Sequence, residues 1–170
     1  KIDVGFDKLD KIMHIADIHI RNYQRHREYR HIFRKLYKEV DELPKNAIIY
    51  VGGDIVHNKT DISPELIDLT SEFFKRLADK RHTIVITGNH DVNLQNRSRE
   101  DALSPVIDLV KRVRPNLYYW KKSGKYTLKN IDFGVLSIFD IDKSGKQLVN
   151  KLPDPTVLEN EYKIALHHGP

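Results

Sequence analysis

Cysteine is absent from this chain of 170 residues. Its absence excludes disulfide bonds, a thiol nucleophile and any metal site built on thiolates. Long apolar runs are absent too, since stretches such as Ala47–Val51 are far too short to cross a bilayer. No secretory leader pattern opens the sequence. We therefore expect an intracellular protein that is not secreted and has no membrane partner.

Methionine and tryptophan occur once each, whereas there are nine histidines. With 39% hydrophobic and 31% charged residues the chain is typical of a globular protein, and we expect one domain over residues 1–170. The 29 basic and 24 acidic residues give a net charge of +5. That balance permits a phosphate-rich partner without requiring one.

Apolar periodicity predicts alternating strands and helices over the first two-thirds of the chain, and mainly strands after that. The predicted strands are 11–16, 47–51, 83–87, 118–120, 125–128, 131–139 and 162–166, and the predicted helices are 28–43, one that opens at Ser63-Pro64, and 102–113. The β-α-β-α-β-α order predicts an α/β fold with a parallel sheet covered by helices. The later strands predict a meander that begins a second sheet, with a loop over 142–156.

Four predicted strands end in polar clusters. The clusters are Asp17-Ile18-His19, Gly52-Gly53-Asp54 with His57 beyond it, Gly88-Asn89-His90-Asp91 and His167-His168-Gly169. Because parallel strands carry their carboxyl ends to one edge, these side chains should converge on one crevice. Each motif alone is common in ordinary turns. Four of them in order, each at a strand end, favour a functional site.

Carboxylate, imidazole and carboxamide groups without sulfur suit Mn²⁺, Fe or Zn²⁺. Asp17 and His19 are two residues apart, so on extended backbone both would face one side and hold one ion. Asp54 follows two glycines and could bridge two ions. Asn89 would offer a neutral oxygen to the second ion, and one histidine of the 167–168 pair would offer a nitrogen.

The four motifs together resemble those of the calcineurin-like metallophosphoesterases, over residues 11–170. The resemblance implies a four-layer α-β-β-α sandwich of parallel and mixed sheets, with the second sheet incomplete in this chain. It also implies two divalent metal ions, Mn²⁺ being favoured and Fe or Zn²⁺ the alternatives. The implied ligands are Asp17, His19 and Asp54 for the first ion, and Asp54, Asn89 and either His167 or His168, the latter favoured, for the second.

The resemblance further implies that His90 acts at the leaving oxygen, that Asp91 orients the His90 ring and that His57 positions the phosphate. His57 followed by Asn58-Lys59, and the stretch 93–105, are similar to DNA double-strand-break repair nucleases of the SbcD (meiotic recombination eleven) type, in their phage and large-virus forms. A DNA nuclease is therefore expected, with DNA, an SbcC-type ATPase and a second copy of the chain as partners. The alternatives are a small-molecule or cyclic-nucleotide phosphodiesterase and a non-catalytic scaffold.

Two features depart from that family. Its final Gly-His-x-His motif is not in this sequence, and Arg21 stands where many relatives have glycine. We therefore expect a domain that is incomplete at its C-terminus. By itself it should bind at most one ion firmly, at Asp17, His19 and Asp54, and show negligible nuclease activity.

Basic residues follow the first and third motifs. Arg21, Tyr23 and Arg25 come shortly after His19, within a stretch that continues to Arg27 and Arg30, and Arg97 and Arg99 come after the third motif. Such residues can neutralise DNA phosphates, although a solvated helix start is an equal alternative. The aromatic run 118–120 is interpreted as core packing and not as a base-stacking platform.

Overall fold

The computed structural model describes residues 2–96, 99–142 and 144–169. Its first sheet has four parallel strands in the order β1-β2-β3-β4. These strands are β1 (Lys11–Ile15), β2 (Ala47–Val51), β3 (His82–Val85) and β4 (Leu117–Tyr119). The connections carry helices α1 (His26–Asp41), α2 (Pro64–Lys80) and α3 (Ser104–Lys111). The predicted α/β class is confirmed, with element ends displaced by a few residues.

Strand β2 is buried along its whole length, which explains its continuous apolar sequence. Ile49 and Val51 pack in the core beneath the helices, whereas Ile48 and Tyr50 pack in the core between the two sheets. Helix α2 begins where the sequence predicts. The Ser63 hydroxyl accepts a hydrogen bond from the Leu66 backbone N–H, and Pro64 occupies the first turn.

The second sheet contains β5 (Gly124–Leu128), β6 (Ile131–Leu136) and β7 (Tyr162–His167). Strands β5 and β6 are antiparallel as expected, but β7 runs parallel to β6, so the predicted meander is wrong at its last step. A parallel partner requires a crossover. Residues 137–161 provide it, and two short 3-10 turns interrupt the predicted loop.

A buried carboxylate fixes that crossover in front of β7. Asp132 of β6 is fully buried and accepts hydrogen bonds from the backbone N–H groups of Glu159 and Asn160. Burial opposes ionisation, but the hydrogen bonds from Asn160 and Thr127 outweigh it and hold the pKa of Asp132 below its usual range. The start of β7, and through it the end of that strand, is thereby tied to β6.

The described residues form three layers: the helices, the parallel sheet and the mixed sheet. One core lies between the helices and the parallel sheet, and a second lies between the sheets. Of the expected four layers, the helical layer outside the second sheet is not represented within residues 2–96, 99–142 and 144–169. No helix in those ranges has the length and apolar character to span a bilayer.

Candidate metal and phosphoester site

The first motif turns sharply just after β1. Asp17 and His19 have φ angles of 56° and 49°, so the extended backbone expected for this pair is wrong. Backbone bonds join this turn to the next strand end, from Asp17 N–H to the Gly53 carbonyl and from His19 N–H to the Asp54 carbonyl. The two side chains still meet, with 3.9 Å between His19 Nε2 and Asp17 Oδ1. Strained backbone of this kind is concentrated at functional sites.

Asp54 is the centre of the site. Its side chain is almost wholly buried and its φ is 54°. One carboxylate oxygen, Oδ1, accepts the His90 backbone N–H at 2.8 Å. The other, Oδ2, lies 3.7 Å from His19 Nε2 and 3.3 Å from His168 Nε2. One carboxylate therefore contacts residues from three of the four strand-end clusters.

His168, and not His167, points to this carboxylate. Its Nδ1–H donates to the Gly52 carbonyl at 2.6 Å, which leaves the Nε2 lone pair of the neutral ring facing Asp54. Two acceptors 3.3 Å apart can share a cation whose bonds are about 2.1 Å long. The His167 ring is bound instead to the Leu136 carbonyl on β6. The donors present thus fit a divalent metal ion.

Three imidazoles adjoin the carboxylates. His90 packs edge-on against His19 with ring centres 4.7 Å apart, and stacks on His57 at 5.6 Å. The His90 Nδ1 contacts the His57 carbonyl at 3.1 Å. His19, His57 and His90 each offer a nitrogen within 4.8 Å of the others. Partial burial lowers the pKa of His57, and the nearby charge of Arg21 lowers it further.

Asp91 does not orient the His90 ring, contrary to the expectation from the resemblance. It is fully buried, and its carboxylate accepts the backbone N–H groups of Asp54, Ile55, Val56 and Gly88 at 2.8–3.1 Å. Burial raises its pKa to about 7, against the opposing effect of those N–H donors. Asp91 therefore holds the backbone that carries Asp54, and acts on the site through that backbone.

Gly88 permits the close approach of the second and third motifs. A Cβ at this position would lie 2.2 Å from Asp54 Oδ1, far inside van der Waals contact. Asn89, the residue that follows Gly88, is half-buried. Only glycine allows the Asp54 carboxylate to remain where it is.

We expect Gly88→Ala to lower the affinity for Mn²⁺ about 10-fold to 100-fold, because the new methyl group displaces the Asp54 carboxylate. Isothermal titration with Mn²⁺ measures this loss. Gly134→Ala is the matched control, since a Cβ there has no neighbour closer than 3.6 Å. Equal Mn²⁺ affinity in the two variants would contradict the close approach.

Sequence reasoning missed four residues that support the site, Tyr29, Thr87, Asp101 and Tyr119. The Tyr29 hydroxyl donates to the His19 carbonyl at 2.7 Å. Buried Asp101 accepts the Tyr119 hydroxyl, which also bonds Thr87 just before Gly88. Asp101 could have been found as a helix-capping residue, because it precedes Ser104-Pro105 and accepts the Ser104 N–H. The expectation that the aromatic run 118–120 packs in the core is confirmed, since Trp120 is buried between the sheets.

The residues expected to contact DNA differ in their exposure and in whether their charge is already paired. Arg25 forms an ion pair with Glu28, so its charge is already compensated. Arg21 is exposed and acts on His57, whereas Tyr23 is 71% exposed. Arg99 is exposed, and Arg97 lies outside the described residues. Among those of these residues that lie in the described ranges, Arg21 alone is shown to act electrostatically on a residue of the site, His57.

Comparison with known proteins agrees with this geometry. The family described as calcineurin-like phosphoesterase matches residues 10–170. The chain is also 49% identical over 166 residues to "Uncharacterized protein R555" of Acanthamoeba polyphaga mimivirus. That alignment covers 94% of this chain and 12% of the mimivirus protein, so the chain spans a small part of that relative. With a family match over nearly its whole length and a donor set that fits a divalent metal ion, the chain belongs to the calcineurin-like phosphoesterases, a family of metal-dependent phosphoester hydrolases.

Proposed function

We propose that this domain hydrolyses phosphodiester bonds in DNA, as a nuclease of the SbcD type. The observation that carries the proposal is the cluster of His19, His57 and His90 beside the buried Asp54 carboxylate. Carboxylates suit cations, and neighbouring imidazoles with a nearby arginine suit an anionic phosphate. A phosphodiester is flanked on both sides by sugars, so its site must be open, and these residues lie at the edge of the sheet.

The chain supplies the ligands in two groups. Asp17, His19 and Asp54 form one, and they lie within 4.8 Å of one another. Asp54, Asn89 and His168 would form the second, in which Asp54 Oδ2 and His168 Nε2 are 3.3 Å apart. Divalent ions held there would neutralise phosphate charge and make a water molecule nucleophilic at neutral pH. Asp54 would belong to both groups, and it is the buried member of the first, held by a bond from the His90 N–H.

In this proposal His90 gives a proton to the departing sugar oxygen. Because its Nδ1 is held by the His57 carbonyl, Nε2 is the nitrogen available to a substrate. A protonated Nε2 can then act as the general acid. His57 stacks on this ring, and the positive charge of Arg21, which lies close enough to lower the pKa of His57, would attract the phosphate.

The test is DNA hydrolysis by the longest natural form of the protein that contains residues 1–170. We expect Mn²⁺-dependent cleavage of labelled DNA, lowered about 100-fold or more in His90→Gln with Mn²⁺ binding retained. His14→Gln, a change at an exposed histidine of β1, is the matched control. Turnover of a chromogenic phosphodiester without cleavage of single-stranded or double-stranded DNA would overturn the proposal and favour a small-molecule phosphodiesterase.

A further inference from the structure

The outer face of α1 carries an uncompensated row of basic side chains. Arg27, His31, Arg34 and Lys38 are exposed, and their spacing places them on one side of the helix. We call these four residues the α1 basic stripe. None of them forms an ion pair with a carboxylate in the part of the chain that the structure describes.

Two nearby arginines, one just before α1 and one on it, form ion pairs within the protein. Arg25 pairs with Glu28, and Arg30 binds Asp68 and Glu72 on α2. These pairs stabilise the helix start and the α1–α2 contact. The stripe residues form no such ion pair in the described part of the chain, so their charge remains available to a partner.

The stripe begins at the end of α1 that is nearest the candidate site. Tyr29, in the first turns of α1, bonds the His19 carbonyl, and Arg21 acts on His57. From Arg27 to Lys38 the helix rises about 16 Å at 1.5 Å per residue. One strand of a duplex presents a phosphate about every 3.4 Å along the axis, so the stripe matches about five phosphates.

We propose that the α1 basic stripe binds the sugar–phosphate backbone of the DNA strand that enters the site. This inference rests on the proposed function and names the path of its substrate. A lipid surface fits less well, because membrane-bound helices need an exposed apolar face. The apolar face of α1 is turned inward through Phe33 and Val40, and Ile32 is the large hydrophobic residue exposed near the stripe.

The test measures DNA binding in EDTA, where no hydrolysis occurs. Binding of a fluorescein-labelled duplex of about 20 base pairs is followed by anisotropy over a salt series. We expect the triple variant Arg27→Gln, Arg34→Gln, Lys38→Gln to bind about tenfold more weakly or worse. The slope of log K against log salt should also fall by about 3, since each lost contact removes about 0.9.

The control variant removes the same charge elsewhere, as Lys75→Gln, Lys111→Gln, Arg112→Gln, at exposed positions of α2 and the end of α3. It should bind DNA within twofold of the wild type. Equal losses in the two variants, an unchanged salt slope, or loss of binding to phosphatidylserine vesicles with DNA binding intact would each overturn the inference. Hydrolysis of DNA is read separately in Mn²⁺, so failure of the proposed nuclease activity is distinguishable from failure of the stripe.

Discussion

Replacing Asp54 with asparagine is expected to lower Mn²⁺ affinity at least about 100-fold and to abolish phosphodiester hydrolysis. Asparagine keeps an oxygen for the His90 N–H, so the loop can retain its backbone bond. It loses the negative charge that faces the Nε2 atoms of His19 and His168. Outer contacts of a metal site are worth 10-fold to 100-fold in affinity, and a direct ligand is worth at least that much.

Isothermal titration and hydrolysis of labelled DNA by the longest natural form measure the two effects. Asp108→Asn is the matched control, because this carboxylate is exposed on α3. Circular dichroism and thermal unfolding establish that Asp54→Asn is folded. A folded Asp54→Asn protein with the Mn²⁺ affinity and activity of the control would show that the Asp54 carboxylate is not a ligand.

Replacing Asp91 with alanine is expected to destabilise the fold by about 4 kcal/mol, even though Asp91 faces neither substrate nor metal. The change leaves four buried N–H groups without their acceptor, those of Asp54, Ile55, Val56 and Gly88. Each unsatisfied buried donor costs about 1–3 kcal/mol, and relaxation recovers part of the total. At this chain length the loss corresponds to a fall of about 8–16 °C in Tm.

Urea and thermal unfolding of the metal-free chain measure the loss. Asp154→Ala is the matched control, since this aspartate also accepts a backbone N–H, that of Thr156, but is exposed. We expect its effect to be below about 1 kcal/mol, because water replaces the lost acceptor. Asp91→Ala with the stability of this control would contradict the backbone-supporting role and reopen a direct contact with His90.

Much of the parallel sheet and its helices could be predicted because the sequence patterns that determine them are local. Ala47–Val51 is apolar without interruption since both faces are buried, and the Ser63-Pro64 start of α2 follows from capping chemistry. Once the strands are known to be parallel, their polar carboxyl ends must lie at one edge of the sheet. Asp17, Asp54 and Asn89 could be grouped from sequence for that reason.

The sequence by itself thus determined the fold class, the family and the set of strand-end residues. Tertiary structure decided how those residues act. The direction of β7 depends on a crossover held by the distant Asp132, and only the folded chain brings His168, which the resemblance already favoured, to Asp54 while His167 binds the Leu136 carbonyl. The role of Asp91 depends on N–H groups 35 or more residues away for three of its four bonds. Strand pairing and side-chain burial depend on contacts between segments that are distant in the sequence. No local sequence pattern encodes those contacts.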